Sequence, residues 1–229
     1  MSKLEAQKPL NYYRIALQSA LAAALCLGLP AGLLLWLILF QNISHSVLVK
    51  PLIDFLHANG LYSIFIVVVS STVWSYLLAR ISGYRHWWRI GVASALGILA
   101  AWFSPLANVD GILYEYQPNL PIHLNYAASM VGLIGSVTLF VGLAYGLLLR
   151  SIKVALTIGL TTSLISVLVL LLTIFVFDRL GIRVGTGNLA MVRVTAVDLI
   201  TSALAGGMVL GIEFSRFVEG KSRHSSELS

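Results

Sequence analysis

Asp198 is the residue whose position most demands a chemical explanation. It lies within an apolar segment, roughly 191–214, with Thr195 three positions before it and Ser202 four after it. Positions three and four apart share a helix face, so these three make one polar stripe. If the helix begins near Met191, Asp198 sits about 10 Å into the apolar layer at 1.5 Å per residue. A carboxylate at that depth is costly unless it is paired, protonated or beside water, which marks it for function. Three arginines are candidate partners. Arg193 lies five residues away and about 140° around the helix, so it pairs poorly. Arg179 and Arg183, in the preceding connection, have better access, and Asp178 can neutralise one of them. The plainer expectation is an ion pair closing the outer end of a bundle; the sharper one is a substrate or proton site. The candidate substrate-binding set is therefore Asp198, Arg193, Arg183, Arg179, Ser202 and Thr195.

Other reactive side chains are sparser. The segment 154–177 carries Thr157, Thr161, Thr162, Ser166 and Thr173. Such hydroxyls usually bond back to their own helix carbonyls, although Thr162, Ser166 and Thr173 can also line a pathway. The connection 104–125 holds Asp110, Tyr114, Glu115, Tyr116 and His123 and no Lys or Arg, an acidic, aromatic external candidate. His45, His57 and His123 with nearby carboxylates lack tight ligand spacing, so no metal is expected. Gly185-Thr186-Gly187-Asn188-Leu189-Ala190 imitates a dinucleotide fingerprint but follows an apolar helix rather than a strand, and it is rejected. No Gly-x-Ser-x-Gly elbow, His-Glu-x-x-His pair or Walker loop occurs. No cofactor is called for, and the chain is read as a non-enzyme, with an intramembrane enzyme of dispersed residues as the third alternative.

The elements that must position Asp198 follow from composition. The 229 residues are 58% hydrophobic and 10% charged, with mean hydropathy +0.89; soluble domains carry about 25% charged residues. Six long apolar segments, about 16–40, 62–79, 90–107, 126–149, 154–177 and 191–214, each approach the roughly 20 residues that a spanning helix needs. Continuous apolarity without alternation selects helices over a barrel. The expected fold is an all-α bundle of six transmembrane helices forming one domain over 1–229, with 215–229 as a cytoplasmic tail. Lys3, Lys8, Arg14, Arg80, Arg85, Arg89, Arg150, Lys153, Arg216, Lys221 and Arg223 fall on alternate connections, leaving Lys50, Arg179, Arg183 and Arg193 on the other side. Basic connections stay inside, so both termini are cytoplasmic. The chain is placed in a cell (inner) membrane as a multi-pass protein. Pro51 to Ala58 suits a short interfacial helix in the first external loop.

Small residues suggest how the helices meet. Ala16, Ala20, Ala24, Gly28 and Gly32 recur every fourth position in the first segment; Gly142 and Gly146 repeat the spacing in the fourth, and Gly207 and Gly211 in the sixth. Such stripes admit a neighbouring helix closely, either within the bundle or from another membrane subunit. Pro30 should kink the first helix. Tyr84-Arg85-His86-Trp87-Trp88-Arg89 suits anchoring at the headgroup layer. The net charge of +6 belongs with anionic lipid rather than nucleic acid, because no basic patch stands on a folded domain. The lone Cys26 excludes an internal disulfide. Two functions compete: a small-solute-binding or transport component with an unnamed ligand, and an accessory or assembly subunit of a larger membrane complex. In span count and in its Ala stripe the chain resembles the substrate-binding subunits of energy-coupling-factor transporters, a likeness of fold that carries no substrate signature.

Overall fold

The computed structural model describes residues 11–30, 61–108, 122–149, 151–181 and 188–227, with backbone alone at 61–67, 102, 107–108, 122–123, 188–194 and 221–227. Among these residues there are six α-helices and no strand. They are α1 (Tyr12–Ala23), α2 (Leu61–Ser82), α3 (Trp87–Trp102), α4 (Ile122–Leu148), α5 (Ile152–Arg179) and α6 (Asn188–Glu227), with a short 3₁₀ turn at Pro105–Asn108. Three stretches, Leu124–Leu148, Ile152–Arg179 and Thr195–Gly220, are long and apolar enough to cross a membrane.

Local chemistry sets the helix ends. Asn11 caps α1 by accepting from the Arg14 N–H at 3.1 Å, and Ser151 caps α5 by accepting from Val154 at 3.4 Å, satisfying donors that a first turn leaves open. Gly83 (φ 70°) and Gly181 (φ 73°) follow α2 and α5, the left-handed exit that glycine makes without penalty. The third apolar segment stops early: α3 ends at Trp102 rather than near 107. Ser104 precedes Pro105, which disfavours helical backbone there, and the Ser104 hydroxyl accepts from the Leu106 N–H at 3.2 Å. The last helix runs on to Glu227, so most of the expected tail is helical. Phe217 and Val218 pack against the core, and the Tyr12 hydroxyl donates to Glu219 Oε2 at 3.3 Å. Ahead of Pro30, Ala24–Gly28 forms a π turn in which the Leu29 N–H reaches back to the Ala24 carbonyl. A wider turn at a proline is a common site of helix bending. The expected interfacial helix at 51–58 and Gly32 lie outside the described residues.

Each helix packs on its neighbours in sequence, and α6 closes the ring against α1. Glycines set the closest approaches. A methyl on Gly142 would meet Gly159 Cα at 2.6 Å, one on Gly97 would meet Val141 Cα at 2.6 Å, and one on Gly28 would meet Ile200 Cα at 2.9 Å. Gly207 faces Ala23 and Ser19, Gly211 faces Ser19, and Gly146 faces Ala155. In each pair of helices the partners run in opposite order, so α1–α6, α3–α4 and α4–α5 are antiparallel. The start of α1 and the end of α6 therefore share one end of the bundle, where Tyr12 meets Glu219. Along α1 and the turn that follows it, Ala20, Ala24 and Gly28 are buried and Ala16 is partly so, while Leu17, Leu21, Leu25 and Leu29 form an exposed row on the adjacent flank. On α5, Leu156, Leu160, Leu164, Leu168 and Leu172 form another exposed row. Two apolar clusters fill the interior: one around Trp74, Leu78, Tyr145, Ile158 and Phe214, the other around Tyr126, Met130, Ile134 and Leu170.

A polar seam between the fourth, fifth and sixth helices

Each apolar cluster contains a polar network, and the two differ in whether they are complete. In the first, Trp74 Nε1 donates to the Tyr145 hydroxyl at 2.7 Å. Ser94 Oγ lies 2.6 Å from that hydroxyl and donates to the Ile90 carbonyl at 2.8 Å. Tyr145 must therefore donate to Ser94, which gives one directional chain from α2 through α4 to α3. Trp74, Tyr145 and Ser94 are all buried, and every proton in the chain has an acceptor. A buried network satisfied this way rigidifies a core and offers a ligand no free valence.

The second network does not close. The Tyr126 hydroxyl, on α4, donates to Asp198 Oδ2 at 2.7 Å and lies 3.1 Å from Thr195 Oγ1. A phenol carries one proton, so the shorter, charge-assisted contact takes it. Asp198 is 0% exposed, yet its Oδ1 has no hydrogen-bond partner among the described residues. Ser202, one turn along the same face, is also buried with an unpartnered hydroxyl, as are Ser166 and Thr162 on α5. Most hydroxyls on these helices bond to their own backbone: Thr157 to Lys153, Thr161 to Thr157, Thr173 to Val169 and Leu170, and Thr201 to Val197. Ser166 and Thr162 depart from that habit. Gly206 brings the α6 backbone onto them: a methyl there would sit 2.8 Å from Ser166 Oγ and 3.8 Å from Thr162 Cγ2. The open oxygens thus mark a seam from Asp198 to Gly206, eight residues or about 12 Å along α6. Unsatisfied buried polar groups are few in folded proteins, and each calls for a ligand, a water or an ion.

The Tyr126 hydroxyl links Thr195 and Asp198, and Ser202 follows one turn further along the same helix. Arg179 departs from expectation. Its guanidinium stacks over the Phe175 ring at 5.0 Å, and it pairs with no carboxylate among the described residues. The reason is register: Thr173 faces the Asp198 carboxyl across the α5–α6 contact, so Arg179 is six residues, about 9 Å, further along α5. Arg183 lies outside the described residues; Arg193 falls in the first turns of α6 without a described side chain. Asp110, Tyr114, Glu115 and Tyr116 lie outside the described residues, and His123 falls in the first turn of α4, again with backbone alone. Among the described residues, no group of three His, Cys, Asp or Glu side chains converges as a metal site would. Sequence reasoning missed Tyr126 and the Trp74–Tyr145–Ser94 chain. A tyrosine at the mouth of an apolar segment reads as an interfacial anchor, which hid Tyr126. No protein-family model, curated protein or solved structure matches this chain.

Proposed function

We propose that the chain is a six-span integral membrane protein of a cell (inner) membrane, with both termini cytoplasmic. We further propose that it is a small-solute-binding or transport component whose site is the seam around Asp198. The observation that carries the solute reading is the open valence there: a fully buried carboxylate with one oxygen held by Tyr126 and the other unpartnered among the described residues. An intramembrane carboxyl is expensive, and its position inside the bundle beside unpaired hydroxyls is what a polar ligand path needs. The antiparallel order of the helices and the rows of exposed leucine on α1 and α5 support the membrane part, because uncovered apolar rows of this length call for lipid or another apolar surface to cover them. The accessory-subunit alternative draws on the small-residue stripes. Ala20, Ala24, Gly28, Gly207 and Gly211 are all buried, and Gly28, Gly207 and Gly211 are already used in the α1–α6 contact, so they offer another subunit no free docking face.

Two outcomes test this reading. Native mass spectrometry of gently purified protein should reveal a retained small molecule, and Asp198→Asn should weaken its retention about 10- to 100-fold. That range is what the loss of one charge-assisted hydrogen bond implies. Undiminished retention in the variant would remove Asp198 from the site. For topology, a C-terminal reporter active only in the periplasm should stay silent, as an even number of spans requires; activity there would overturn the six-span assignment.

A further inference from the structure

We propose that Asp198 binds a monovalent cation, a proton or Na⁺, in the gap between α4, α5 and α6; this rests on reading the seam as the solute site and supplies the ion to which solute binding is coupled. The geometry sets up a charge problem. Asp198 is fully buried, and a bare carboxylate without a positive partner is not tolerated in such surroundings. Tyr126 from α4 gives its one proton to Oδ2. From α5 the facing group is Thr173, whose hydroxyl proton is directed to the carbonyls of Val169 and Leu170 at 2.9 and 2.8 Å. That hydroxyl also faces the Asp198 carboxyl, but it is neutral and brings no countercharge. The other described charges near this end of α5, Asp178 and Arg179, are both exposed, and the Arg179 guanidinium is stacked on Phe175. α1 meets α6 on its Ile200–Ala203 side with Gly28, and α2 approaches lower down, near Phe214, with Trp74 and Leu78.

Among the described residues the gap is thus lined by neutral hydroxyls around the carboxyl, with no positive group to balance its charge. Oδ1 of Asp198 and Oγ of Ser202 are both buried and unpartnered, one helical turn apart, with Cβ atoms about 5–6 Å from each other. A hard cation with oxygen contacts of about 2.4 Å spans that separation. A proton on Oδ1 solves the same charge problem without the second ligand. Carboxylate plus hydroxyl is the shared chemistry, and the two ions differ in what Ser202 contributes.

The full-length protein in detergent separates the cases through its thermal unfolding, followed by tryptophan fluorescence at constant ionic strength. If Na⁺ is bound, the melting temperature climbs with Na⁺ replacing choline, because ligand that binds only the folded state stabilises it by mass action. If a proton is bound, the folded state holds a proton that the unfolded chain releases at neutral pH, so stability falls as pH rises and ignores Na⁺. Asp198→Asn should flatten whichever dependence wild type shows. Ser202→Ala should raise the Na⁺ midpoint about tenfold or leave the pH profile in place, naming the ion. Arg183→Gln and Arg193→Gln should keep the wild-type dependence; its loss in either would mean that an arginine holds the countercharge and would overturn the proposal. Profiles flat in both Na⁺ and pH, or a dependence surviving in Asp198→Asn, would overturn it too. Should Asp198→Asn not fold, infrared difference spectra of wild type decide: Asp198 is the one fully buried carboxyl among the described residues, and its C=O band should appear or vanish during the titration. A constant band overturns the proposal. Asp198→Asn that loses its retained solute but keeps the cation dependence sinks this inference and spares the solute site. A cation dependence without any retained solute does the reverse.

Discussion

Gly146→Ala should cost about 3 kcal/mol of stability, at the upper end of what one added methyl costs in a packed interior. The added carbon has nowhere to go, because it would overlap the backbone and the Cβ of Ala155 on α5. Backbone cannot swing aside as a flexible side chain can. One turn earlier, Gly142 also lies close to Gly159, at 2.6 Å from an added methyl to Cα. The two contacts work as a pair, so separating the helices at Gly146 also opens Gly142 and lengthens the bond from Ser163 Oγ to the Gly135 carbonyl, now 2.9 Å. In lipid the apolar effect gives helices little reason to associate, and close packing of this kind must supply it. Gly220→Ala is the control: nothing lies within 4 Å of its added methyl, and replacing a mid-helix glycine by alanine stabilises by about 0.5–1 kcal/mol. Denaturation in mixed detergent reads both. A Gly146→Ala protein as stable as wild type would mean that α4 and α5 do not approach as described.

How much of this was legible beforehand differs by element. Helices read well because continuous apolar runs leave one economical backbone solution, and α4 and α5 fall within four residues of the expected bounds at each end. The helical stretch beyond Phe214 was not legible, since Arg216, Glu219, Lys221 and Arg223 carry no apolar run. It is held by tertiary contacts at Phe217, Val218 and Glu219. In the site, the stripe Thr195–Asp198–Ser202 follows from helical period alone, whereas the partner of Asp198 does not. That partner depends on the register between α5 and α6, which glycine approaches fix and charge does not. Hence Arg179, one of the candidate partners by charge, lies about 9 Å further along α5 than Thr173, and neutral Tyr126 takes the place. Thr161 and Thr162 make the same point as neighbours in one sequence. Thr161 bonds to its own helix, while Thr162 is left open, and only the packing of Gly206 against its side distinguishes them.

Tyr145→Phe and Trp74→Phe should each destabilise the bundle, and the double variant should lose less than the two singles together. In Tyr145→Phe the Trp74 N–H is stranded without an acceptor and Ser94 loses its donor, which costs about 1–3 kcal/mol for a buried group. Trp74→Phe removes the first donor of the same chain along with some packing volume. Their coupling in a double-mutant cycle isolates the 2.7 Å bond between them and should fall between about 0.6 and about 1.7 kcal/mol, the mean and the maximum of interhelical hydrogen bonds measured within membranes. Zero coupling would mean that the two side chains do not meet. The contrast with Asp198→Asn then becomes informative. Opening a closed chain removes bonds that held three helices together, so it registers as lost stability. Changing Oδ1 of Asp198 touches a valence that no described protein group fills, so its main effect should be on what the protein binds. A bundle that tolerates Asp198→Asn far better than Tyr145→Phe is one in which burial alone does not explain why the carboxyl is there.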